Sequence, residues 1–341
     1  MMSSPDLANS NPNAESHQGH HAAAHSHGLE APIGVMGGHT HPAGTWMVSY
    51  RYMNMQMQGS RIDTDRIEDE AVVDPNEFGF RLTPTEMPMQ MHMFGLMHAP
   101  SNRVTFMAMV NVISNSMDHL TRAGGTFTTQ ASGLGDTKVQ ALVVLTHSNT
   151  CQIHLNAGLS LPTGSITESD VTPMSAPDEA QLPYPMQLGS GTFDPEIGLT
   201  YLGQSDHWGW GAQGKATFRL GKNDNDYSIG NRGLFTAWGA RGFGKNLSLS
   251  VRALGSAWGN IGGSDSAYNT AVMMQMVPTV FADLRGGERI DVGLGGDFTV
   301  HEGALNSLRI AIEALLPVYQ RLDGPQLETD SSIIVGVQYA F

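Results

Sequence analysis

The spacing of its connections constrains this chain more than any other feature. From Thr45 onward, twelve segments alternate apolar and polar residues, at about 44–57, 77–97, 103–113, 135–146, 151–161, 192–203, 207–220, 232–243, 246–257, 288–300, 305–318 and 330–341. Such alternation is the mark of strands with one apolar face. The odd gaps are long, at about 58–76, 114–134, 162–191, 221–231, 259–287 and 319–329. The even gaps are a few residues each: APSNR near 98–102, HSNT at 147–150, GQSD at 203–206, GKN at 244–246 and HEGA at 301–304. A soluble sandwich has no reason to keep that order, whereas a membrane-spanning barrel has short turns at one rim and long loops at the other.

The faces agree. In CQIHLNAGLSL (151–161), Ile153, Leu155, Ala157 and Leu159 oppose Gln152, His154, Asn156 and Ser160. In ERIDVGLGGDFTV (288–300), Ile290, Val292, Leu294 and Phe298 oppose Arg289, Asp291 and Asp297. Apolar-out and polar-in is the barrel pattern. Trp46, Tyr50, Trp208, Trp210, Trp258 and Tyr339, near segment ends, suit interfacial girdles.

The expectation is an all-β chain: a transmembrane antiparallel β-barrel of about 12 strands, outer-membrane type, over 44–341. Residues 1–43, poor in large apolar side chains, read as a disordered His-rich tail. An even strand count puts both termini on the periplasmic side. No basic n-region followed by an apolar h-region, and hence no signal peptide, is visible at the N-terminus.

Composition removes other classes. With 18 basic against 32 acidic residues and a net charge of -14, the sign is wrong for nucleic acid. The single Cys151 excludes an intrachain disulfide or a CxxC pair. Catalysis has no constellation to rest on. None of His92, His98, His119, His147, His154, His207 or His301 has a Ser two positions later, as a nucleophile and base on one strand face would require. GxSxG and HExxH are absent as well, so the chain reads as no enzyme.

The last segment, SSIIVGVQYAF, ends at Phe341 with Ile333, Val335, Val337 and Tyr339 alternating up to it. It resembles the C-terminal signature of Gram-negative outer-membrane proteins, which the assembly machinery reads. GLSLPTGSI (158–166), GSGTFDPEIGLTY (189–201) and LLPVYQRLDGPQLETD (315–330) resemble the outer-membrane channel family named after the meta pathway of phenol degradation. The likeness runs from about 44 to the end and is loosest at 259–287. It implies a channel or transporter for small solutes, hydrophobic or aromatic, with no catalytic residues and no required cofactor. The implied partners are outer-membrane lipid and lipopolysaccharide, the assembly machinery and the solute.

The lumen candidates are the polar residues on inward faces: Arg51, Lys138, Gln152, His154, Lys215, Arg219, Arg252, Arg289, Asp291, Arg309 and Glu313, with Glu196, Asp297 and Arg241 beside them. In a narrow barrel they neutralise one another, and they tune what passes. Of 20 methionines, 13 lie between Met36 and Met117. Met53, Met55 and Met57 should point inward beside Arg51, and Met107 and Met109 beside Thr105. In TPTEMPMQMHMFGLMH (83–98) the methionines oppose Gln90 and His92, which leaves this strand ambiguous: a lumen would more naturally take the polar pair, and on that assignment the methionines face lipid or a neighbouring element.

Methionine is an adaptable filler. It is also a thioether ligand for soft ions such as Cu(I). Seven histidines near the N-terminus, His17, His20, His21, His25, His27, His39 and His41, form a tract of the kind that takes copper or zinc. The alternative function is therefore a copper-type binding or efflux-associated barrel.

Overall fold

The computed structural model describes residues 30–341. Eleven strands close into one antiparallel sheet. They are β1 (Trp46–Asp63), β2 (Leu82–Ser101), β3 (Val104–Thr121), β4 (Thr137–His147), β5 (Cys151–Leu161), β6 (Asp194–Gln204), β7 (Trp208–Thr217), β8 (Arg232–Phe243), β9 (Leu247–Trp258), β10 (Gly287–Thr299) and β11 (Leu308–Ala340). Each pairs with the next, and β11 pairs back onto β1.

The last strand makes two passes. It is antiparallel to β10 over 309–322 and antiparallel to β1 over 322–340. Since β1 and β10 themselves run in opposite senses around the barrel, no straight strand can oppose both. The chain therefore reverses at Asp323, Gly324 and Pro325. Its two arms are tied by Arg309 Nη1 to Gln338 Oε1 at 2.9 Å and Thr329 N to Gln320 Oε1 at 2.9 Å. Twelve passes result, the number expected.

The outward face is apolar: Phe94, Leu96, Phe106, Phe235, Leu249, Val251, Leu294, Ile312, Leu316 and Ile333 are all exposed. An apolar surface of this extent around a closed sheet is a lipid belt. No helix among the described residues is long and apolar enough to cross a membrane; the crossing is made by strands.

The first and third strands outrun their expected ends. β1 reaches Asp63 and β3 reaches Thr121, and a further strand, Thr126–Leu134, pairs with the extension of β3. Beyond the belt their outward positions are polar, Gln58, Ser114 and Ser116 among them, so hydrophobic alternation stops before the hydrogen bonding does.

The long connections build a lid over one rim. A short helix (Asn269–Met273), a hairpin (Ser169–Val171 with Glu179–Gln181) and a two-stranded ladder between distant loops (Tyr227–Ser228 with Gly262–Gly263) meet around Tyr184, Tyr227, Tyr268, Val277 and Val280, and a second helix (Asp69–Val73) packs on the first barrel strands. The 259–287 insert, where the family likeness is loosest, supplies much of this lid. Trp258 belongs to it: its Nε1 donates to Arg285 O at 2.9 Å, so it is no girdle residue.

Candidate functional site

The site is the lumen, and the first finding is that it is occupied. Residues 30–43, grouped by composition with a disordered tail, run through the barrel interior. Ala31, Ile33 and Val35 are buried, Ile33 against Ala311, Leu315 and Ile334, and Ala31 and Val35 against Trp238. The composition argument averaged this apolar, glycine-spaced piece with the His-rich residues before it. The alternation of Ala31, Ile33 and Val35 was the available signal. His17, His20, His21, His25 and His27 lie outside the described residues.

The barrel grips this inserted segment through its backbone. Arg309 Nη2 donates to Ala31 O at 2.7 Å, Arg51 Nε to Ile33 O at 3.1 Å, and Gly34 N to Glu313 Oε2 at 2.9 Å. Gln213 Nε2 donates to Met36 O at 3.1 Å, and Asn156 Nδ2 to Gly37 O at 2.9 Å, with His154 Nε2 also 2.9 Å from that oxygen. Gln152 Nε2 reaches Thr40 Oγ1 at 2.8 Å. Two glycines make the fit. A Cβ on Gly34 would stand 2.5 Å from Glu313 Oε2, and Gly37 holds φ +66°, the left-handed region that L side chains avoid.

Every polar lumen candidate but Arg241 faces inward, and most are paired. Glu196 sits between Lys138 Nζ at 2.5 Å and Lys215 Nζ at 3.6 Å. Arg252 meets Glu313 at 3.1 Å and Arg289 meets Asp291 at 3.0 Å. Arg309 bridges Asp297 and Glu30, and Arg219 binds Asp194, itself accepting from Ser190 and Thr192. Arg241 is the exception. Phe235 and its neighbours at odd positions of β8 face outward, and the Arg241 guanidinium lies over the Trp208 and Phe243 rings at 5.2 and 5.4 Å, outside the barrel.

The methionines form the opposite wall. On β2 the polarity argument fails: Met87, Met93 and Met97 are buried, while Phe94 and Leu96 face out. His92 is accommodated outside by Tyr50, whose hydroxyl is 2.8 Å from Nδ1. This places twelve methionines on the inner face: Met47, Met53, Met55 and Met57 of β1; Met87, Met89, Met91, Met93 and Met97 of β2; Met107, Met109 and Met117 of β3. Many oppose one another directly, as Met47 with Met97, Met53 with Met91, Met55 with Met89, and Met57 with Met87.

At the lid end, Met87 and Met117 pack against Leu182, Met186 and Leu188 of the lid, with Met57 and Met89 at the edge. At the other end, Met47, Met97 and Met107 cluster with Leu142. The lid thus covers one end of the methionine wall, and at the other the methionines pack on one another and on the neighbouring strand.

Ionisation follows burial in the lid and the inserted segment. Burial pushes the Tyr227 hydroxyl up to about 12 and raises Tyr184 and Tyr268 as well, so all three stay neutral hydrogen-bonding groups. Burial pushes the His39 imidazole down to about 3, against the attraction of Glu30. Among the described residues no three His, Cys, Asp or Glu side chains converge as a metal site.

A groove on the outer wall, between Gly214, Gly233, Gly255 and Ile290, opens no way into the lumen. The β7–β8–β9–β10 ladder is continuous behind it.

An outer membrane channel from Pseudomonas putida F1 has the same fold. It is 11% identical with a TM-score of 0.59, over 91% of this chain and 100% of that one. A weaker likeness, TM-score 0.44 at 10% identity over 88% of this chain and 90% of that one, is to the TodX monoaromatic hydrocarbon channel. No curated protein sequence is a match. The family described as "Putative MetA-pathway of phenol degradation" matches residues 91–302, more than half of the chain. The chain belongs to that family of outer-membrane-type barrels.

Proposed function

We propose that the protein is a channel for small hydrophobic or aromatic solutes across the bacterial outer membrane. One observation carries this reading: a wall of twelve inward methionines runs the height of a closed lipid-embedded barrel, facing a segment of the same chain rather than a packed core. A solid structural barrel would have no need of a separate segment held by hydrogen bonds to its carbonyls. Flexible thioether side chains re-pack around ligands of different shape, and a solute of low polarity can lie against that wall while the barrel donors stay on the carbonyls of the segment. Membership of the family named for phenol degradation and the likeness to the outer membrane channel from Pseudomonas putida F1 support it.

In this reading the short-turn rim and both chain ends are periplasmic, and the lid faces outward toward lipopolysaccharide. The strand ending at Phe341 is what the assembly machinery engages.

Flux into liposomes tests the function. Phenol-sized aromatics should enter barrel-containing vesicles faster than equally sized polyols. Equal rates for both, or no flux above empty vesicles, would sink the proposal.

A further inference from the structure

The methionine wall is chemically odder than a hydrophobic lining needs to be. From 47 to 57 on β1 and from 87 to 97 on β2, no inward position carries Leu, Ile, Val or Phe, although the outward face of the same strands uses Val48, Phe94 and Leu96. Methionine loses more rotamer freedom on burial than Leu or Ile. A wall chosen for apolar volume alone would therefore favour the branched residues.

Register then brings the sulfurs together. Met47 opposes Met97, and Met97 opposes Met107 on the next strand, so three thioethers share one rung. All three are buried and form one cluster at the short-turn end of the lumen. Directly opposed residues on neighbouring strands have Cβ atoms about 4.5–5.5 Å apart, within reach of a common ion for side chains as long as these.

The inserted segment brings imidazoles to the same level. The His41 backbone nitrogen donates to Thr105 Oγ1 at 3.1 Å, and Thr105 is the inward position next to Met107. His39 stands edge-on to His41, ring centres 4.9 Å apart, and the His39 Nε2 is buried without a hydrogen-bond partner among the described residues.

We propose that Met47, Met97 and Met107 form a binding site for a soft monovalent cation of the Cu(I) or Ag(I) kind, with the His39 imidazole as a nitrogen donor beside it. Thioethers select soft ions, and a neutral imidazole suits the same metals. The absence of any converging His, Cys, Asp and Glu group among the described residues argues against zinc as the occupant. The inference stands on lumen geometry alone and not on solute transport.

The test is a titration of the folded full-length protein in detergent with Ag(I), which needs no reductant, in a chloride-free buffer. X-ray absorption at the silver edge would report the donor atoms. Saturable binding with sulfur neighbours is expected. The Met47→Leu/Met97→Leu/Met107→Leu variant should bind at least roughly 10- to 100-fold more weakly, as loss of even outer-shell support does at metal sites. The Met53→Leu/Met55→Leu/Met57→Leu variant should keep the site. Its histidines are those of the parent, so any binding by the chain's His-rich part cancels in the comparison.

Unchanged affinity in the first variant, or a nitrogen-only shell in the parent, would overturn the proposal. If the triple variant does not show the electrophoretic shift of a folded barrel, Met97→Leu alone replaces it, with the same direction of effect required. Solute flux through the same proteins is a separate readout, so the channel reading and this one can fail independently.

Discussion

The two walls of the lumen answer one demand in opposite ways. From β4 round to β11 the interior is lined by charges in pairs: Glu196 with Lys138 and Lys215, Arg252 with Glu313, Arg289 with Asp291, Arg309 with Asp297. From β1 to β3 it is lined by thioethers, with Arg51 as its one charge deep in the wall. The charged wall has fixed geometry, because a buried charge is tolerable only where its partner stands. It supplies most of the hydrogen bonds to the inserted segment. The methionine wall has no such fixed partners and can deform. One wall is a template and the other a cushion, so a substitution on the first should cost far more than one on the second.

The largest effect should come from Glu313→Ala. It leaves Arg252, about 5% exposed, without its carboxylate and Gly34 N without its acceptor. Removing one partner of a buried pair costs about 3–5 kcal/mol. Urea unfolding of the detergent-folded barrel should show a drop of that order. A change below about 1 kcal/mol would mean that water already screens the pair and that the template picture is wrong.

Next in size is Gly37→Val, which attacks the segment rather than the wall. A side chain there must adopt φ +66°, at a cost of roughly 1–2 kcal/mol, with its Cβ 2.7 Å from Asn156 Nδ2. The segment should leave its track while the barrel stays closed. Single-channel conductance should rise, with the unfolding midpoint nearly unchanged. An unchanged conductance would show that the lid, not the segment, is the limiting obstruction.

What the sequence made legible follows from what each part of the fold does. The barrel was readable because lipid imposes one rule on every strand, and because Phe94, Val110, Leu199, Val251 and Ile312 all obey it. The paired charges were readable as a set, since the face opposite the apolar one had to be the lumen. Their pairing was not, because Lys215 meets Glu196 only through the register of two neighbouring strands, and Lys138 on β4 reaches it only across the intervening β5. Two assignments went wrong where polarity stops being a guide. On β2 the inward side chains are themselves apolar, so Gln90 and His92 suggested the opposite face. On β8, Arg241 lies at the rim, where a cation can lie over Trp208 and Phe243 instead of entering the lumen. The inserted segment was hidden because its burial depends on a barrel supplied by the rest of the chain.

The lid offers a way to loosen the methionine wall without touching the charged one. Tyr268 Oη donates to Leu182 O at 2.5 Å, and Leu182 packs on Met87 and Met117. Tyr268→Phe should cost about 1 kcal/mol of lid stability. The tyrosine cluster of the lid carries a pH dependence. Tyr227 is raised by burial to about 12 from a usual value near 10, and Tyr268 is raised too. The closed lid therefore holds its protons longer than an open one does. Its stability is complete below about pH 10 and is lost as pH rises toward 12. Protease cleavage within 169–188, followed from pH 8 upward, should accelerate only past pH 10. Acceleration at pH 8 or below would place the control in another group.

The smallest effect should be Met55→Leu, and its smallness is the point. Met55 opposes Met89 across the β1–β2 ladder and makes no hydrogen bond that a Leu would lose. A swap that conserves volume and apolarity usually costs less than about 1.5 kcal/mol, and a compliant neighbourhood of other methionines should absorb most of that. Unfolding in urea is expected to be within error of the parent, and aromatic flux to fall by a factor of two or less. Because Leu is stiffer, the fall should grow with solute width, and the ratio of rates for a wide and a narrow aromatic is the quantity to follow. A large loss of stability would mean that the methionine wall is packed as tightly as the charged one, and the two walls would then be a single rigid core with a different composition on each side.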